Sequence, residues 1–335
     1  MDGRSNVGIK KAEKVLCMVL AMLMAIVITI NVSAGESISK AKIDEYLYTI
    51  AYSQQEQVKE PIYGSIDGEW NIIGLARYGA VTKDYISKYK ENLLKEVKAK
   101  DGVLSTRKYT EYSRVVIALT SIDENPTNFG GYNLLKPLAE FDNVNKQGIN
   151  GSIYALIAIH SSNYKIPKPD KNYTGEVTTV KKLIEYIIKN QNSDGGWSMA
   201  DKSECDITAM AVQALSFYYT GSDKSVKKSV DKALKFLSRQ QNNDGGYSAE
   251  GISNCESTAQ VLMAISALNI NIEDSRFVKN GNTVLNGLLD YYSNGKFSHT
   301  KNGGYNHMAT EQGFCALTAY YRSLTIMNGF YDMAD

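Results

Sequence analysis

The chain has 335 residues, with 37 Lys and Arg against 36 Asp and Glu, 43% hydrophobic residues and 22% charged ones. That composition excludes a disordered chain, a collagen-like sequence and a disulfide scaffold, and a formal charge of +1 excludes bulk attraction to nucleic acid or an acidic membrane. Five Pro suit a mostly helical chain, three His argue against a His-rich metal site, and 23 Tyr against 8 Phe predict aromatic surface with wetted polar tips.

Arg4, Lys10, Lys11 and Lys14 precede an apolar run from Val15 to Ile30, and Val32-Ser33-Ala34 follows as a small-x-small pattern. This reads as a secretory signal peptide over residues 1–34, cleaved after Ala34. The run is shorter than the roughly 20 residues of a bilayer span, and an uncleaved anchor is the alternative. The protein is therefore expected outside the cell or at its surface, touching membrane only through this segment. Cys205, Cys255 and Cys315 then lie where Cys usually pairs, and an odd number leaves at least one unpaired.

From residue 35 to 335 a single domain is predicted, built as an alternation of two helix types. Amphipathic helices with charged faces are expected near 40–55, 84–99, 132–142, 177–191, 225–240 and 276–293. Between them run segments apolar nearly all round, aligned on a small residue at Gly74, Ala118, Ala158, Ala214, Ala264 and Ala319. Such segments are buried helices. Six exposed and six buried helices point to an all-α (α/α)6 toroid, with six inner helices around an axis and six outer ones shielding them. An open superhelix of helix pairs is the alternative. Ile166-Pro167-Lys168-Pro169-Asp170 reads as a long loop within the domain, and no strand is expected.

The repeat is clearest in Gln191-Asn-Ser-Asp-Gly-Gly-Trp197 and Gln241-Asn-Asn-Asp-Gly-Gly-Tyr247. Gly195 and Gly245 can take positive φ after a helix end, and the Gln amides can bond backbone groups left free there. A third, weaker copy is expected at Asn302-Gly303-Gly304-Tyr305. An acid opens the helix after each: Asp206, Glu256 and Glu311.

These residues resemble the QW motif of the terpenoid cyclase and protein prenyltransferase superfamily. Phe236-Leu237, Gln241, Gly245 and Tyr247 fit it with Tyr in place of Trp, and Tyr186-Ile187, Gln191, Gly195 and Trp197 fit with Ile in place of Leu. The basic-Gly pair that opens the motif is missing from both. The resemblance implies an (α/α)6 toroid, as in squalene-hopene cyclases and in secreted bacterial cyclase-like proteins.

It also implies three lines of chemistry. Class II cyclases use a D-x-D-D acid, which maps onto Glu204, Asp206 and Ile207, so Asp206 would be the general acid with Glu204 beside it, and Ile207 departs from the pattern. Protein prenyltransferases use a zinc bound by Asp, Cys and His. No Asp-x-Cys occurs here, and the set the resemblance leaves is Cys205, Cys255 and His307. The bland readings are helix-capping carboxylates and small buried thiols; a Cys205–Cys255 disulfide is a further alternative. Aromatic and acidic residues on or beside the inner helices, Trp70, Tyr112, Tyr154, Trp197, Glu256, Tyr305 and Glu311, form the candidate ligand-binding set. Tyr rather than Phe favours binding over carbocation chemistry, which prefers a dry cavity. The expected function is binding of a partly apolar small molecule, glycan or peptide in a Tyr-rich central cavity or rim, by a monomer with no cofactor and no nucleic-acid partner. Cyclase or isomerase chemistry and a zinc-dependent transferase are the alternatives.

Overall fold

Helix α7 (Val180–Lys189) buries Leu183, Ile184 and Ile187 and leaves Lys181 and Glu185 in solvent, whereas α4 (Thr110–Ser121) buries an unbroken run from Val115 to Thr120. This contrast divides the helices of the computed structural model, which describes residues 38–334. The outer ones are α1 (Lys40–Gln57), α3 (Lys83–Ala99), α5 (Phe141–Val144), α7, α9 (Lys224–Gln240) and α11 (Val284–Leu289). The inner ones are α2 (Trp70–Tyr78), α4, α6 (Ile149–His160), α8 (Cys205–Ser216), α10 (Cys255–Ala267) and α12 (His307–Ser323). The segment read as a signal peptide lies outside the described residues. No helix among the described residues is long and apolar enough to cross a membrane.

Each inner helix packs on the next, and α12 packs back on α1 and α2, so the ring closes and the open superhelix is excluded. The seam depends on Gly74. A Cβ there would sit 2.8 Å from the Phe314 ring and 3.3 Å from Cys315 Sγ. Ala118, Ala158, Ala214 and Ala264 are fully buried at the same register, because small side chains let inner helices approach closely around a narrow axis.

The two repeat turns use the same bonds. Gln191 Nε2 donates to Gly195 O at 2.8 Å and to Ser229 O of α9 at 2.9 Å; Gln241 Nε2 donates to Gly245 O at 3.0 Å and to Phe277 O at 2.9 Å. Each amide thus ties its own turn to the next outer layer. The Trp197 and Tyr247 N–H groups donate to Thr208 and Thr258 Oγ1 of the following inner helices. Gln241→Ala is expected to cost about 1–3 kcal/mol, because two carbonyls lose their donor in a buried setting. A denaturant midpoint measurement checks this; an unchanged midpoint would refute the role.

Three expectations change. The outer helix near 132–142 is broken into a 3-10 turn at Lys136–Ala139, the single turn α5 and a 3-10 turn at Asn145–Gln147. Asn133 Oδ1 caps the N–H groups of Leu135 and Lys136, and Pro137 cannot donate, so the first turn never extends. The outer helix near 276–293 shrinks to α11, flanked by two hairpins, β3 (Val278–Lys279) with β4 (Asn282–Thr283) and β5 (Tyr292–Ser293) with β6 (Lys296–Phe297); a third pairs β1 (Tyr247–Ala249) with β2 (Ile252–Asn254). Asn280-Gly281 and Asn294-Gly295 have positive φ at both positions, the signature of tight two-residue hairpins. Finally, the third repeat aromatic is Phe297 rather than Tyr305. The Phe297 N–H donates to Thr310 Oγ1 at 2.9 Å, as Trp197 and Tyr247 do to their threonines, while Tyr305 lies at the rim.

Candidate functional site

The N-terminal ends of the inner helices meet at one mouth of the ring. Its centre is organised by the turn Ser65–Glu69 just before α2. Asp67 there takes φ 58°, a left-handed conformation that is uncommon outside Gly, Asn and Asp. That conformation aims its N–H at Glu311 Oε1, 2.7 Å away, and its carboxylate at His307 Nδ1, 2.6 Å away. Two residues on, Glu69 is fully buried and accepts from Arg114 Nε at 2.8 Å, from the Gly64 N–H with both oxygens at 3.2 Å, and from Tyr89 OH at 3.2 Å. Burial pushes the Glu69 carboxyl up, and Arg114, Gly64 and Tyr89 draw it part of the way back.

Glu311 has weaker support. Burial, with the negative charges of Asp67 and Glu69 adding, pushes its carboxyl up to about 8, against one backbone N–H and the more distant Arg114. It is therefore mainly protonated at neutral pH. Its Oε2, the Tyr305 hydroxyl and Asn71 Oδ1 are buried without a hydrogen-bond partner. Burial, with the charges of Asp67 and Glu311 adding, pushes the Tyr305 phenol up to about 12.

Beside this centre an open groove of about 600 Å³ is walled by Tyr63, Lys100, Leu104, Arg107, Lys108 and Glu111. Tyr63 OH donates to Glu111 Oε2 at 2.7 Å, and Lys100 Nζ lies 5.1 Å from the Tyr63 ring centroid.

Aromatic and thioether side chains narrow the axis of the ring. Trp70 and Tyr154 pack with ring centroids 5.8 Å apart, and with Met210, Met263, Cys315 and Tyr331 they leave a cavity of about 50 Å³. That holds a water or two.

The other expected site residues disperse. Asp206 is half-buried in the first turn of α8, its Oδ1 accepting from the Ile207 N–H at 2.9 Å. Glu204 accepts from the Met199 N–H at 2.9 Å. Glu256 pairs with His299 Nδ1 at 2.8 Å. Tyr112 is buried, its hydroxyl accepting from the Ser105 N–H at 3.4 Å. Trp197 is no ligand residue: it is fully buried and donates its indole N–H to Ile187 O at 2.7 Å.

Zinc, which the superfamily brings to mind, does not fit these residues. Cys205, Cys255 and Cys315 are buried free thiols, so the disulfide alternative falls as well. Burial and the Asp206 charge push the Cys205 thiol up to about 12, Cys255 Sγ donates to Ala309 O at 3.6 Å, and His307 faces Asp67. No group of three or more His, Cys, Asp and Glu side chains among the described residues could hold a metal ion.

Of the residues at this candidate site, the sequence reading named Glu311, Tyr305 and His307 and did not name Asp67, Glu69, Arg114, Tyr63 or Glu111. One signal was legible: Arg114 is the one basic residue of α4 and directly precedes its apolar run Val115–Leu119, and a buried charge requires a partner.

The closed double ring with a polar centre at one mouth defines an α/α toroid. Residues 97–310 match the family model of the prenyltransferase alpha-alpha toroid domain, and the chain belongs to that family, within the prenyltransferase and terpenoid cyclase-like superfamily. No curated protein matches it.

Proposed function

We propose that this toroid is a binding protein, secreted or held at the cell surface, that takes an extended carboxylate-bearing ligand, peptide or glycan, along its mouth. One observation carries the reading: the cavity between Trp70, Tyr154 and Tyr331 holds about 50 Å³, whereas the open groove beside the acid centre offers about 600 Å³. Ligand sites usually occupy about 300–1,000 Å³. The axial cavity has no room for a polyprenyl chain, which weighs against cyclisation started by Asp206. Lys100, Arg107 and Lys108 supply positive charge to the groove, and the apolar faces of Tyr63 and Leu104 supply stacking surface. Glu111 accepts from Tyr63 and keeps its negative charge, and the three cations of the groove outnumber it.

A fluorescein-labelled hexaglutamate peptide and trigalacturonate serve as probes, read by polarisation and by competition. The double variant Arg107→Glu/Lys108→Glu is expected to weaken binding at least about tenfold, and added salt to weaken the wild type. Which probe binds decides between peptide and glycan. Equal binding by the variant, or no binding of either probe, would end the proposal.

One observation favours a second reading, proton transfer at the mouth. The neutral acid is Glu311, with an unpartnered oxygen. Its test is loss of any turnover in Glu311→Gln with binding retained.

A further inference from the structure

At the opposite end of the ring, where the inner helices terminate, segment 324–334 folds across the axis. It is held through its backbone. Arg77 Nη2 donates to Gly329 O and to Asp332 O, each at 2.8 Å, Arg322 Nε donates to Asn328 O at 2.8 Å, and the Met333 N–H donates to Ser161 O at 2.7 Å. These bonds press Tyr331, 7% exposed, into the axis.

Between this segment and the ends of α8, α10 and α12 lies a second cavity, of about 220 Å³. Phe217, Met263, Ser266, Ala319 and Tyr331 stand in its wall. Met263 and Tyr331 also wall the axial cavity, so the Tyr331 ring is a partition between the two. Ser266 is 6% exposed, and its Oγ has no hydrogen-bond partner. A buried hydroxyl in that state is normally satisfied by something in the adjoining space.

We infer that this cavity is a binding site for a single-ring phenol or aromatic alcohol. The ring would pack against Phe217, Met263 and Tyr331, where aromatic faces and a thioether favour it, and the hydroxyl would bond Ser266 Oγ. The volume lies below the roughly 300 Å³ at which drug-sized sites begin and has room for one small ring with its hydroxyl. The site is distinct from the groove at the mouth and does not depend on its function.

The test uses p-cresol in saturation-transfer NMR on the full chain, with thermal melts confirming that each variant folds. Wild type should bind p-cresol. Ala267→Trp, at an exposed position on the cavity lip, should abolish p-cresol binding. Ser266→Ala should weaken it several-fold by removing one hydrogen bond. Tyr331→Ala should weaken it by removing one face of the ring's packing. A wild type that ignores p-cresol, or an Ala267→Trp variant that binds it as tightly, would overturn the site, and unchanged binding by Tyr331→Ala would overturn the role of that ring.

Discussion

Arg114→Met is expected to destabilise the protein by about 3–5 kcal/mol, the usual cost of stranding one partner of a buried ion pair. Glu69 is fully enclosed, and Arg114 is its sole cationic partner among its hydrogen bonds, at 2.8 Å. Without the guanidinium, the Gly64 N–H and the Tyr89 hydroxyl cannot offset the desolvation of a carboxylate, so Glu69 takes up a proton or the turn before α2 opens. The double variant Glu69→Gln/Arg114→Met removes both charges and should recover much of the loss. Chemical denaturation of the two single variants and the double variant measures the coupling. A loss below about 1 kcal/mol for Arg114→Met would mean that the pair is solvated and that the mouth is not organised by it.

The second large effect is a pH dependence. Burial moves the Glu311 carboxyl from its ordinary 4.5 to about 8 in the folded chain. Between those values the folded protein holds a proton that the unfolded chain releases. Raising the pH therefore favours unfolding, and the stability present below about 4.5 is lost progressively until about 8. The total is on the order of a few kcal/mol. Glu311→Gln keeps an acceptor for the Asp67 N–H and cannot ionise. Its stability relative to wild type should rise steadily from pH 5 to pH 8 and then level off. A difference that stays constant over that range would show that Glu311 is solvated and charged.

Much of the ring was legible in the sequence. The small residue recurring from Gly74 to Ala319 marked the inner helices, and the Gln-to-Gly spacing marked turns whose amides do bond the helix ends. The breaks in the outer layer were also written locally, in Asn133, Pro137 and the Asn-Gly pairs at 280–281 and 294–295, but the apolar period near them was read as continuous helix. The third aromatic was misplaced because Gly303-Gly304-Tyr305 imitates the repeat in letters, while the bond to Thr310 selects Phe297. The site was less legible. Asp206 has the family's position and Glu311 the buried environment, and burial raises the proton affinity of Glu311.

Helix type, turn position and the alternation of charged with apolar faces were determined by the sequence alone, because each is set by interactions within a few residues. The tertiary structure decided which acid is neutral, whether the axis is hollow, and that a turn at Asp67 meets a helix 244 residues away. Those depend on desolvation and on volume left between side chains, quantities that exist only once distant segments have been packed against one another.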